Sequence, residues 1–385
     1  MIPIVLCLSV EARAAPKFTI KPSISATWQV DKNFYKAEAI EREVSTYLIQ
    51  PGVDLGLETP KSTVSLRYTM NDYNYDDRSG VPPGQQLANT EDYLGHAATL
   101  RARNRAFDRL LLGVEDSYYK TRDPAQSDEF STAIARDKYS INRLTPLIFY
   151  EFVPKFSMGL RYRYTETDYD IATREDTTEH RGMFDLVYKF TPKTSLDLEY
   201  QRWNMDYDLT TSDYTSDQIK LILRKQLRYF SLEAGGGYQE RSFDVKTLED
   251  IQVFTYKIAL QGQNPPAPER PRSHITFASE QNFNILGAGD EYFKARRFTL
   301  NAGHVFLEKI PVTIKSYYQV SDYETTTRED EDYHIAGSIG YLLTDWLTFS
   351  ITAGYEERDS SLAGYDYDNR YYMAKLDLIY NLGKK

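Results

Sequence analysis

Apolar and polar side chains alternate along most of this chain with a period of two residues. In one example the apolar residues at every second position are Phe156, Met158, Leu160, Tyr162 and Tyr164. A period of two places the two sets on opposite faces of a β-strand. The same alternation returns over residues 196–201, 347–356 and 372–382. The pattern therefore predicts many strands and hardly any helix.

The lengths of the apolar runs limit how this chain can meet a membrane. Residues 1–15 resemble the end of a secretory signal peptide, because an apolar run over 2–10 is followed by small residues suited to cleavage. Residues 16–385 then form one domain. They contain no run of about 18 apolar residues, which excludes a transmembrane helix. A membrane-spanning chain of this kind has to close into a β-barrel.

Two classes of connection come up in rotation along the chain. The tight ones contain proline, at residues 59–62, 153–155, 191–194 and 309–311. The longer ones are acidic and framed by tyrosine, at residues 72–77, 168–170, 206–208, 322–324 and 365–368. Outer-membrane barrels have short periplasmic turns and longer outer loops. The sequence thus predicts an all-β, transmembrane, antiparallel up-and-down β-barrel of about 18 strands, with both termini in the periplasm.

The alternation also assigns side chains to the two faces of the barrel wall. A charged side chain at the lipid midplane costs roughly 2–4 kcal/mol for Arg or Lys, so charges within strands are expected to face the lumen. The predicted lumen-facing residues are Arg67, Arg161, Arg163, Asp197, Glu199, Lys220, Arg224, Glu233, Lys257, Lys315, Lys375 and Asp377. Tyrosines at the ends of apolar runs suit the lipid–water boundary. This predicts an aromatic girdle that includes Tyr162, Tyr164, Tyr200, Tyr318 and Tyr355.

Several classes of function find no support in the sequence. The five histidines are scattered singly, and no zinc-protease, nucleotide-binding or hydrolase motif is present, so we expect no enzyme, no metal and no cofactor. The net charge of −10 without a basic stripe argues against a nucleic-acid partner. No connection has the length of a constriction loop that would narrow the lumen; residues 76–92 come closest.

Residues 22–28 (PSISATW), 31–35 (DKNFY) and 50–55 (QPGVDL) together resemble the opening of the putative beta-barrel porin 2 family. Repeated Tyr-x-Tyr and Asp-Tyr edges of loops extend the resemblance over most of the chain. Members of that family are often linked to exopolysaccharide or capsule gene clusters. The resemblance implies an outer-membrane barrel that exports a polysaccharide, with a periplasmic export partner.

The residues and the resemblance together leave three functions open, and the polysaccharide in the first of them is what the resemblance implies. The leading hypothesis is a monomeric barrel in the outer membrane, in contact with its lipid and lipopolysaccharide, that lets a polysaccharide pass. The second is a general or solute-selective diffusion porin for small polar solutes. The third is a structural barrel that holds a partner in its lumen, such as an electron-transfer protein.

Overall fold

The computed structural model describes residues 16–126, 128, 130–131, 136–245, 248–266, 271–284, 292–324 and 326–382. The predicted signal peptide, residues 1–15, lies outside the described residues. The strands are β1 (Lys17–Asp31), β2 (Val44–Glu58), β3 (Ser62–Asp77), β4 (Tyr93–Phe107), β5 (Leu110–Thr121), β6 (Tyr139–Val153), β7 (Phe156–Tyr169), β8 (Thr177–Thr191), β9 (Thr194–Tyr207), β10 (Tyr214–Gln226), β11 (Phe230–Phe243), β12 (Ile251–Asn264), β13 (Ser273–Phe283), β14 (Phe293–Phe306), β15 (Ile310–Tyr323), β16 (Glu329–Thr344), β17 (Leu347–Ser360) and β18 (Tyr367–Ile379). Two short 3₁₀ helices lie in the loops, at Ala88–Glu91 and Pro124–Gln126.

The described strands form one closed antiparallel sheet. Each strand pairs with the next along the chain, and β18 pairs with β1 in a register that sets Ser23 opposite Ile379. This closure leaves no strand edge unpaired, which is the condition for a β-structure to span a membrane. The predicted fold, an up-and-down barrel of about 18 strands, is confirmed. Among the described residues there is no helix long and apolar enough to span a membrane.

The two faces of the wall differ in the way that the alternation predicts. On β7, Leu160 and Tyr162 are 46% and 45% exposed, whereas Ser157 and Thr167 on the other face are almost fully buried. Large apolar side chains are exposed in the same manner around the wall. A soluble sheet would bury these side chains, so an apolar outer face indicates that the barrel is surrounded by lipid.

Connections of different length gather at opposite ends of the barrel. The turns after β2, β4, β6, β8, β10, β14 and β16 contain two or three residues, and the turn after β12 contains eight. Apart from the turn after β12, the connections after the even-numbered strands are shorter than every loop after an odd-numbered strand, and the three longest loops span residues 32–43, 78–92 and 122–138. The buried apolar clusters of the described chain lie at this loop end. The loops therefore pack inward and fill part of the mouth.

Candidate pore and its constriction

In the loop between β5 and β6, residues 122–138, the described residue Phe130 reaches the opposite wall of the barrel. The backbone oxygen of Phe130 accepts a hydrogen bond of 3.0 Å from Nε2 of Gln319 on β15. In the closed sheet, the junction of β5 and β6 lies half the circumference away from β14 and β15. Gln319 also lies on the polar face of its strand. A contact between opposite walls through the polar face is possible only inside the barrel, so this loop narrows the lumen.

The seat of Phe130 on the far wall combines apolar and charged contacts. The Phe130 ring packs against Phe293 and Ala295 of β14, and it is 4% exposed. The guanidinium of Arg297 lies 5.2 Å from the centre of the ring, within the range of a cation–π interaction. Nε of Arg297 donates a 2.6 Å hydrogen bond to Gln319, which fixes the amide that holds the loop. We call Phe130, Arg297 and Gln319 the loop seat.

The two limbs of the crossing loop are also attached to the near wall. Arg143, on β6, donates a hydrogen bond to the backbone oxygen of Gln126. On the returning limb, the guanidinium of Arg136 lies 4.0 Å from the ring centre of Phe34, in the loop between β1 and β2. The Nη1 atom of Arg122 donates 3.1 Å to the backbone oxygen of Arg136 and thereby joins the two limbs. The loop is thus held at both ends and at its far point.

Seven of the twelve predicted lumen-facing residues come together in one lumenal charge cluster. These seven residues lie on β7 and on β9–β12, where charges of opposite sign are close together. The members of the lumenal charge cluster are Arg161, Asp197, Glu199, Lys220, Arg224, Glu233 and Lys257. Arg224 is central, because its guanidinium contacts Asp197, Glu199 at 2.8 Å and Glu233 at 3.1 Å. Lys220 lies opposite Glu199 in the register, and Lys257 lies 3.9 Å from Glu233.

A carboxylate that the sequence reading did not single out completes this cluster. Asp185 on β8 accepts two hydrogen bonds from Arg161, at 2.9 and 3.1 Å, and it lies opposite Glu199 in the register. With Asp185 the cluster contains four cations and four carboxylates. Glu280 on β13 also lies opposite Lys257, so both signs are present and this part of the wall has a mixed surface rather than one of a single sign.

The other five predicted lumen-facing residues lie away from this cluster. Arg67 forms a bidentate pair with Asp54, at 2.7 and 3.1 Å, and Lys375 lies 2.8 Å from Asp377 on the same strand. Arg163 donates 2.9 Å to Glu179. Lys315 lies opposite Asn301 and Ala336. All twelve residues lie on the polar face of the wall; their role in lining a conducting pore stays a prediction.

The five predicted girdle tyrosines lie on the apolar face: Tyr162 and Tyr200 lie near the middle of their strands, and the other three lie somewhat closer to the loop end. The phenol of Tyr162 is 2.6 Å from Nδ1 of His180, and the ring centre of Tyr164 lies 5.2 Å from that of His180. Tyr200, Tyr318 and Tyr355 each donate a hydrogen bond to a carboxylate, at 2.6, 2.7 and 2.9 Å. A phenol bonded to a charged partner on an apolar face suits the boundary between lipid and water. Their function as a girdle remains a prediction.

Electrostatic effects in the loops help to hold the mouth. Burial raises the pKa of Tyr35 in the first loop to about 12, so its hydroxyl remains protonated and the ring stays neutral beneath Arg42. The hydrogen bond from Lys138 lowers the pKa of Asp170, and Lys120 adds to this effect. The ammonium of Lys138 is 3.0 Å from the Asp170 carboxylate. This ion pair joins the crossing loop to the loop between β7 and β8.

The constriction is the functional feature that the sequence reading missed. Residues 76–92 were expected to come closest to a constriction loop, but residues 122–138 occupy the lumen instead. The sequence signal is weak, because Phe130 is a single aromatic residue within a polar stretch and its partner Gln319 is 189 positions away. Among the described residues, no group of three or more His, Cys, Asp or Glu side chains is arranged to hold a metal ion.

Comparisons with known proteins agree with this architecture. The model of the family described as Putative beta-barrel porin 2 matches residues 229–379, which confirms the resemblance seen in the sequence. The structure of OccAB2 from Acinetobacter baumannii aligns with a TM-score of 0.50 at 8% identity, over 95% of this chain and 98% of that one. The outer membrane protein opdK from Pseudomonas aeruginosa aligns with a TM-score of 0.51 at 9% identity, over 94% and 99%. No curated protein sequence matches the chain.

The fold and the family match together define the class of protein. The described strands form a closed β-barrel with an apolar outer face, and its likeness to outer-membrane porins points to a channel rather than to an enzyme.

Proposed function

We propose that this barrel is a diffusion channel for small polar solutes whose effective width is set by the loop over residues 122–138. The observation that carries this proposal is the hydrogen bond from Gln319 to the backbone oxygen of Phe130, which attaches a residue of this loop to the opposite wall of the barrel. A barrel of about 18 strands leaves an aqueous channel when its interior is empty. A segment that crosses this interior divides the opening, so solutes larger than the remaining gap are excluded.

The twelve lumen-facing residues provide the lining of the proposed channel. The charge cluster around Arg224 presents both signs to a passing solute, so we expect weak discrimination between small cations and anions. Polar solutes can form hydrogen bonds with this wall, and these bonds replace the hydrogen bonds to water that the solutes lose on entering the lumen. The same lining gives an apolar solute no favourable contact.

We further propose that the short turns and both termini face the periplasm and that the barrel works as a monomer. This proposal is supported by the strand order, because β1 begins and β18 ends at the short-turn end. Short turns on the periplasmic side and longer loops outside are the rule for barrels of this membrane. The crossing loop then enters the lumen from the outside.

Solute flux into proteoliposomes tests the proposed function. Purified protein is reconstituted into vesicles, and swelling is followed for a series of uncharged sugars of increasing size. We expect rapid entry of monosaccharides and a sharp fall in rate for larger oligosaccharides. Entry of all sizes at equal rates, or entry of none, would contradict a constricted diffusion channel.

Polysaccharide export is the second candidate, and the family match over residues 229–379 is the observation that favours it. An extended polymer would have to pass the crossing loop, so export requires this loop to leave its seat. Deletion of the gene separates the two functions. Loss of surface polymer with normal uptake of small solutes would favour export, and an uptake defect with intact polymer would favour diffusion.

A further inference from the structure

An apolar groove runs obliquely across the outer face of β12–β18. Its floor follows one row of cross-strand neighbours, four of which are glycine or alanine; the row is Gly262, Ile275, Ala302, Ile314, Gly337 and Ala353. The row on one side passes through Val312, Ile339 and Ile351 to Trp28 on β1. Small floor residues between bulkier neighbours leave a depression in a wall that is otherwise covered by large side chains.

Two cavities lie along this groove and meet in the middle. One has a volume of about 420 Å³ and is lined by residues that include Phe230, Ile275 and Ala302. The other has a volume of about 490 Å³ and is lined by residues that include Gly337 and Trp28. Both are lined by Val312 and Ile314, so they adjoin each other on the wall. From β12 to β18 the two cavities together span six inter-strand spacings of about 4.8 Å, or roughly 29 Å.

The short-turn end of the groove is polar. The row beside the floor continues from Val312 through His304 and Ser273 to Asn264, which are cross-strand neighbours on successive strands. The hydroxyl of Ser273 is 2.7 Å from Nδ1 of His304. Asn264 is exposed at the end of the row. Hydrogen-bonding groups thus stand on the outer face at the edge of the apolar depression.

Cations surround this polar end. Arg228, Arg272 and Lys309 lie in three successive short turns, after β10, β12 and β14, and all three are exposed. Within the described part of those turns, Glu308 is the only acidic residue. The net charge at this end is therefore positive, although the whole chain has a net charge of −10. A positive rim beside an apolar groove matches a molecule with an anionic head and a hydrocarbon tail.

We propose that the groove holds one ordered phospholipid, with its phosphate near Arg272 and His304 and an acyl chain over Gly337. The groove is longer than the roughly 15 Å hydrocarbon depth of one leaflet, so it accommodates a chain that lies obliquely on the wall. A second copy of this chain fits less well, because a twofold contact here would bring the same cations together. This assignment rests on the proposed orientation, which places the short turns beside the phospholipid leaflet.

Two glycines on the outer face provide a matched pair of variants. A Cβ at Gly337 would meet no atom within 4 Å, and a Cβ at Gly182 on β8 would meet only a backbone oxygen at 4.0 Å. An added Cβ therefore causes no clash at either position, and a leucine side chain would project outward from the wall there. Gly337→Leu fills the floor of the groove, whereas Gly182→Leu adds the same side chain outside it.

Native mass spectrometry of the delipidated barrel, titrated with phosphatidylglycerol, tests the proposal. We expect the wild type and Gly182→Leu to bind one lipid tightly, and Gly337→Leu to bind it about tenfold more weakly. Arg272→Gln should also weaken binding about tenfold, because a charge-assisted hydrogen bond to phosphate is lost. Diacylglycerol, which lacks the phosphate, should bind the wild type no better than Arg272→Gln binds phosphatidylglycerol.

Equal binding to the wild type, Gly337→Leu and Gly182→Leu would overturn the proposal, since it would reveal only general lipid contact. Preferential binding of lipopolysaccharide would overturn the choice of phospholipid. The heat-dependent gel shift of each variant confirms that it is folded before it is titrated. Lipid binding is measured without ionic conductance. A barrel that binds the lipid but conducts no ions therefore contradicts only the proposed channel function. A conducting barrel without the lipid site contradicts only this inference.

Discussion

Replacement of Phe130 by alanine should release the crossing loop from the far wall. The ring is buried against Phe293 and Ala295 and lies beneath Arg297, so its removal takes away both the apolar contact and the cation–π interaction. Truncation of a buried phenylalanine costs about 3 kcal/mol or more. At 1.4 kcal/mol for each factor of ten, the equilibrium between the seated and the released loop shifts by roughly a hundredfold. The hydrogen bond from Gln319 to the backbone remains, at about 1 kcal/mol.

Single-channel recording in a planar bilayer measures this release. We expect Phe130→Ala to conduct in larger and noisier steps than the wild type, because the loop then moves within the lumen. Phe107→Ala is the matched control, since this phenylalanine is 70% exposed at the opposite end of the barrel. If Phe130→Ala and Phe107→Ala both gave the conductance and noise of the wild type, the crossing loop would not be the constriction.

Three further predictions follow from the charges and faces of the wall. Arg224→Gln removes one positive charge from the lumenal cluster. A unit charge about 10 Å from the path of a permeating ion contributes roughly 0.4 kcal/mol in water, so the cation-to-anion permeability ratio should rise roughly two- to fourfold in reversal-potential measurements. Lys225→Gln is the control, since this lysine is exposed and its replacement should leave the ratio unchanged. Leu221→Arg places a charge on the apolar face and should reduce stability in urea by roughly 2–4 kcal/mol. Because Lys138 lowers the pKa of Asp170, the ion pair stabilises the fold at pH values above the ordinary carboxyl pKa of about 4. This stabilisation is lost as the pH falls through the lowered pKa of Asp170. The urea midpoints of the wild type and Asp170→Asn should therefore differ at neutral pH and converge at pH values below the lowered pKa.

The barrel wall was predictable because its information is local. The alternation over Phe156, Met158 and Leu160 determines which face of β7 is apolar without reference to any other strand. The alternation of tight and acidic connections then determines the antiparallel order. Closure follows, because strands in lipid cannot leave an edge unpaired. The prediction that charged residues of the strands face the lumen rests on the same local pattern.

The interior arrangement was not predictable in this way. Phe130 meets Gln319 through the folding of a loop across the lumen, and no periodic pattern encodes a contact over 189 positions. The charge cluster poses the same difficulty: Arg224 could be placed on the polar face, but its three carboxylate partners depend on the register of β9, β10 and β11. Register arises from the whole sheet, whereas face assignment arises from each strand alone.

The most direct test of the central claim is the single-channel conductance of the purified wild-type protein in a planar bilayer, with its heat-dependent gel shift as proof of folding. A constricted diffusion channel predicts stable, discrete and ohmic current steps with weak ion selectivity. A correctly folded and inserted barrel that passes no current would contradict this account.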